Sequence, residues 1–114
     1  MVELPHHLRR LLLGTVAVVD PDEARVVWAS TGPETHRHDP RLLDDGRILI
    51  FNNYDDSPES SVTEFDPLTG EVLWSYRGSD DHPFYSRTCG TVQRLENGNT
   101  LITESDNGRA FEVD

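Results

Sequence analysis

One feature narrows the possible folds of this chain more than any other: its second half repeats its first. "AVVDPDEARVVWAS" (17–30) lies over "TEFDPLTGEVLWSY" (63–76), so that Asp20 falls on Asp66 and Trp28 on Trp74. "RLLDDGRILI" (41–50) lies over "QRLENGNTLI" (93–102), with Gly46 on Gly98, and "VTEFD" (62–66) lies over "AFEVD" (110–114). The repeating unit is about fifty residues, a length at which self-similarity signals a stacked or radial array of identical supersecondary units.

Inside the unit, Asp45-Gly46 and Asn97-Gly98 predict two-residue hairpin turns, flanked by β-forming runs such as Ile48-Leu49-Ile50 and Thr100-Leu101-Ile102. Asp66 and Pro67 open a further turn that Gly70 closes, after which Val72 and Trp74 alternate with polar neighbours. Four antiparallel strands per unit with a recurring tryptophan are the signature of a β-propeller blade. The expected fold is therefore all-β, about two to two and a half blades of an incomplete propeller. Residues 1–13 read as a lead segment with a helical turn over Pro5 to Leu13, and 14–114 as the partial propeller. The latter divides into a half blade (14–30), a full blade (38–78) and three strands of the next (90–114). A closed ring needs about four to eight blades, so further blades or self-association are expected to complete it.

Ten arginines and no lysine face twenty-one acidic residues, a formal charge of -11. That balance repels a nucleic-acid backbone or an anionic membrane surface. No apolar run approaches the roughly twenty residues of a spanning helix. Arg9 and Arg10 precede nine largely apolar residues, but that run ends at Asp20-Pro21 without a small-residue cleavage site, so it is not a convincing export signal. The lone Cys89 has no internal disulfide partner and reads as a small, half-buried residue.

"HDPRLLDDGRILIFNN" (38–53), "FDPLTGEVLWSYRG" (65–78) and "FYSRTCGTVQRLENGNTLITESDNGRAFEVD" (84–114) together resemble the bacterial arylsulfotransferase family. "DPLTGEVLW" also resembles the repeat of pyrroloquinoline-quinone-type propellers. The first resemblance implies transfer of a sulfuryl group from a phenolic sulfate to a phenol through a transiently sulfated histidine. Other histidines and an arginine hold the sulfate, no metal or cofactor is needed, and relatives are often periplasmic or secreted. On this basis His38 is the candidate catalytic residue. Asn52 and Asn53 match the polar end of the family's "FDN" strand, with Asn52 in place of its aspartate. The arginine that should follow is missing from "YDDSPESS" (54–61).

His82, Tyr85 and Arg87 are candidates for holding a small anionic aromatic substrate if their loop faces the channel. "THRH" (35–38) reads either as a small anion-binding cluster or, more plainly, as a solvated loop; the plainer roles of the others are a cap or packing residue for His38 and, for His82, part of a turn begun by Asp80-Asp81 and fixed by Pro83. Asp55, Asp56 and Glu59 lack the spacing and glycine of a calcium loop and read as an acidic surface. The alternative to an enzyme is a non-catalytic propeller segment serving as scaffold or binding surface.

Overall fold

A computed structural model describes residues 7–10, 15–20, 22–31, 36–53 and 59–114, with the backbone alone at 7–10, 15–16, 27, 30–31 and 36–38. Among the described residues the fold is all-β, in three antiparallel sheets, none of them closed. The first holds β1 (His7–Arg10), β2 (Thr15–Asp20) and β3 (Arg25–Thr31). The central sheet runs β4 (His36–Leu42), β5 (Ile48–Asn53), β6 (Ser61–Phe65) and β7 (Val72–Arg77). The third holds β8 (Thr91–Arg94), β9 (Thr100–Glu104) and β10 (Arg109–Val113), with one 3-10 turn at Ser105–Asn107. The order and the unclosed sheets are consistent with an arc of propeller blades.

Three expectations are corrected. His7–Arg10 is a strand paired with β2, so no helical turn covers that stretch and the first sheet reaches back ahead of residue 14. Pairing with an open strand edge supplies β1 with backbone partners that an isolated helical turn this short would lack. His36 to His38 belong to β4, paired with Asn53, Asn52 and Phe51, and not to a solvated loop.

The Gly46 and Gly98 hairpins are three-residue loops. Gly46 N donates to Leu43 O at 2.9 Å and Leu43 N to Arg47 O at 2.8 Å, and Leu95, Gly98 and Asn99 repeat the pattern. Only the glycines take positive φ, 88° and 90°. Asp45 and Asn97 instead turn their side chains onto the backbone N–H two residues on, which favours a turn closed by a glycine bulge over a two-residue loop. The turn at Asp66 is as expected: Gly70 N donates to Asp66 O at 2.7 Å and Leu68 N to Asp66 Oδ1 at 2.8 Å.

Burial explains why "ILIF" is a continuous apolar run. β5 is buried on both faces, because the central sheet lies between the other two. Ile48, Ile50 and Phe65 pack toward the first sheet with Trp28. Leu49, Phe51 and Val62 pack toward the third with Val92, Ile102 and Phe84. The two tryptophans do equivalent work, each meeting the following sheet. Trp28 lies 6.3 Å from Phe65 and donates Nε1–H to Pro67 O at 3.0 Å, and Trp74 lies under Arg94 at 5.4 Å.

Phe84 comes from the long connection between β7 and β8. Its ring meets Phe51 edge-on at 5.3 Å and Phe111 at 5.5 Å, with Tyr76 at 5.7 Å. Gly90, just before β8, lets Phe51 lie against the backbone: a Cβ there would stand 2.4–2.5 Å from the Phe51 ring. That ring is fully buried and cannot give way. Gly90→Ala is expected to cost about 1–3 kcal/mol by overpacking, read as a lower denaturant midpoint with an unchanged slope. A midpoint equal to the parent's would refute the contact.

Candidate functional site

Neighbouring sheets approach one another at β1, β4, β5 and β8. β4 neighbours both β1 and β8, and β5 also borders β8. β1 pairs with β2 as β5 pairs with β6, so β1 is a second strand, whereas β8 is the counterpart of β4. These three converging strands carry an unusual charge. They hold five of the ten arginines (Arg9, Arg10, Arg37, Arg41 and Arg94) and three of the five histidines (His7, His36 and His38), but one of the twenty-one acidic residues, Asp39. The remaining chain has five arginines against twenty acids, so in composition the arginines and histidines are concentrated on the strands that converge.

β4 and β8 match until the residue that follows His38. Arg41 pairs with Leu49 as Gln93 pairs with Leu101, and His38 pairs with Phe51 as Thr91 pairs with Thr103, but β4 has one extra residue between those points. Asp39-Pro40 forms this bulge, and Asp39 has φ 49°. Aspartate tolerates that left-handed conformation, and proline, lacking an N–H, forfeits no ladder bond at a bulge. The Asp39 carboxylate accepts Val92 N–H at 3.0 Å and Arg41 Nε–H at 3.1 Å.

The sequence-selected residues divide into groups. The backbone of His38 lies mid-strand on β4; its side chain, with those of His36 and Arg37, lies outside the described part. Asn52 and Asn53, at the end of β5, are buried. Asn52 Nδ2 donates to Ser61 Oγ and Thr63 Oγ1 at 3.0 and 2.9 Å, while Asn53 Nδ2 donates to the backbone carbonyls of Ser86 and Cys89. Among the described residues neither Oδ1 has a partner. The Asn52 amide can turn over against hydroxyls; the Asn53 amide cannot, because carbonyls only accept.

Asn53 thus ties the loop carrying Arg87 to the end of β5 opposite His36. Tyr85 is half-buried, its N–H bonded to Glu104 Oε2 at 2.7 Å, and Arg87 is exposed. His82 is exposed in a turn closed on Ser79, near the β7 end of the connection. The structure therefore brings Arg87 and the asparagines to one rim, and leaves His82 early in the crossing. Cys89 is exposed, not half-buried, because Asn53 and Ser86 take its carbonyl while its side chain stays outside the core. Glu59 is exposed, and Asp55 and Asp56 lie outside the described residues.

Sequence reasoning missed Asp39 and Asp106. The signal for the first was an Asp-Pro pair inside a strand-forming run. Asp106, in the turn between β9 and β10, takes Thr88 N–H at 2.9 Å and Thr88 Oγ1–H at 3.0 Å. The Thr88 N–H holds its carboxyl below the ordinary carboxylate value. A lowered folded value means the contact stabilises fully above the unfolded carboxylate range and is lost as pH falls through the folded value. Thr88 amide protection is expected to collapse on acidification from pH 5 toward about pH 2. In Asp106→Asn that acid step should be absent; its persistence would contradict the assignment.

Comparison with known proteins follows this geometry. A family model described as "Arylsulfotransferase (ASST)" matches residues 12–114. No curated protein matches the sequence. Among solved structures, a crystal structure of a protein of unknown function from Bacteroides caccae is similar to it with TM-score 0.51 and 19% identity, over 90% of this chain and 39% of that one. At that identity the likeness supports the fold alone, and this chain spans well under half the length of its structural match. The family model covers nearly all of the sequence, and by that measure the chain belongs to the arylsulfotransferase family.

Proposed function

We propose that this chain forms part of an arylsulfotransferase propeller that moves a sulfuryl group from a phenolic sulfate to a phenol, with His38 as the nucleophile. The observation that carries the reading is the segregation of arginine and histidine to β1, β4 and β8 in a chain of charge -11. An aryl sulfate is a small anion, and strands with this composition favour one where the rest of the surface repels it.

The step balances without another reagent. An imidazole nitrogen of His38 bonds to sulfur as the bond from sulfur to the phenolic oxygen breaks, and the departing oxygen takes the imidazole proton. In the second half the acceptor phenol oxygen bonds to sulfur, the nitrogen–sulfur bond breaks, and the phenol's proton returns to the ring. Neutral imidazole suits this near pH 7, and guanidinium groups offset charge on the sulfuryl oxygens in the transition state. Arg37, beside His38 on β4, and Arg87, on the loop tied to Asn53, are the cations proposed for that task. Asn52 and Asn53 support it by fixing the rim, with Tyr85 and His82 as outlying contacts.

Further sheets, from more chain or from a second copy, complete the channel in this reading. Among the described residues β10 has no counterpart of β7 beside it, and the first sheet has no counterpart of β4. The alternative, a non-catalytic propeller segment, draws on Arg41 and Arg94 being tied to Asp39 and Glu64 at 3.0 and 2.8 Å.

The test is release of a chromogenic phenolate from its sulfate with phenol as acceptor. His38→Ala is expected to lower the rate at least about a hundredfold, the scale for loss of a nucleophile, with an unchanged melt. Measured on the protein with its channel completed by those further sheets, an unaltered rate removes His38 from the mechanism, and no rate at any acceptor concentration favours the scaffold.

A further inference from the structure

We infer that Asp39 is a positioning residue for His38, acting through the backbone bulge and through a bond to the neighbouring sheet. The inference deepens the proposed role of His38 and rests on that reading for its catalytic meaning only. Three observations converge.

First, β4 departs from its repeat counterpart at this point and nowhere else along the paired stretch: the extra residue falls between His38 and Arg41, where β8 runs straight. A bulge increases the local twist of the backbone, and His38 is the residue next to it, where the equivalent Thr91 stands on an unbulged strand. Second, Asp39 sits at φ 49°, a left-handed conformation that is strained for a non-glycine residue and persists where the surroundings hold it. Third, those surroundings are identifiable. The Asp39 carboxylate accepts the backbone N–H of Val92 on β8, with Arg41 bonded to the same oxygen.

Val92 pairs with Ile102 on β9, and its N–H instead meets Asp39. The inner strand of the central sheet is thereby stapled to the inner strand of the third by the residue next to His38. Among the described residues Arg41 is the cation that faces this carboxylate. It balances the charge of Asp39 and does not free it for chemistry.

The test separates the staple from the strain and from the reaction. Spectra of histidine-labelled chain give the His38 and His82 ring resonances, and amide exchange gives Val92 protection, in the parent, Asp39→Asn, Asp39→Gly and Asp39→Ala. Asparagine keeps an acceptor oxygen and tolerates positive φ, so D39N is expected to retain Val92 protection and the His38 resonance. Glycine accepts φ 49° without strain but lacks the acceptor. D39G is expected to raise Val92 exchange at least about tenfold and move the His38 resonance while His82 stays in place. In the transfer assay D39G should lower kcat about tenfold with KM within about twofold, the pattern of a misplaced reacting group, and D39N should restore it.

A folded D39G with Val92 protection and the His38 resonance unmoved overturns the proposal, as does a shift shared equally by His82. If D39A unfolds, D39G and D39N still decide. Should His38→Ala leave the rate unchanged while the resonance results hold, the catalytic reading of His38 falls and the positioning role stands.

Discussion

The arrangement depends on one aromatic contact between sheets. Phe84 belongs to no strand, yet its ring fills the space between Phe51 of the central sheet and Phe111 of the third. Its backbone stays in place because the connection is bonded along its length. Ser60 N donates to Phe84 O at 3.0 Å, Ser86 N to Ser60 Oγ at 2.8 Å, and Arg109 Nη2–H to Pro83 O at 2.7 Å. Each aromatic pair adds about 0.5–1.5 kcal/mol beyond the area it buries.

Charge follows the same division between interior and inner edge. Glu64, 5% exposed, lies between Arg47 and Arg94 at 3.0 and 2.8 Å, and Arg94 stacks on Trp74. Glu104 is held by Arg109, the Tyr85 N–H and Asn107. A buried carboxylate with hydrogen-bonded cationic partners is tolerated where a lone one would be expelled or neutralised. These pairs use up Arg47, Arg94 and Arg109 as structural links between elements. The remaining arginines of the converging strands are Arg9 and Arg10 of β1, Arg37 of β4, and Arg41, which is bonded to Asp39.

Much of the fold could be read directly. The fifty-residue period placed the sheets, the Asp-Pro turns and the paired tryptophans, because turn chemistry and strand alternation are local. What escaped was set by distant partners. β1 reads as a polar lead because "HLRR" has no strand pattern of its own; pairing with β2 makes it a strand. Asp45-Gly46 looked like a two-residue turn because the side-chain bond from Asp45 to Arg47 N is invisible in composition. His36 to His38 looked like a loop because proline and aspartate follow them, the two residues that build the bulge. Of the site, His38 and the asparagines were legible from the motif. The staple from Asp39 to Val92 spans 53 residues and could not be seen without the fold.

In the proposed function the converging strands, and not the acidic remainder, attract an anion. Mapping amide resonances of the chain during titration with 4-nitrophenyl sulfate tests it without requiring turnover. The account predicts saturable shifts confined to β1, β4, β8 and the Arg87 loop, weakened by added salt. Shifts scattered over β3, β7 and β10, or none at any concentration reached, would contradict it.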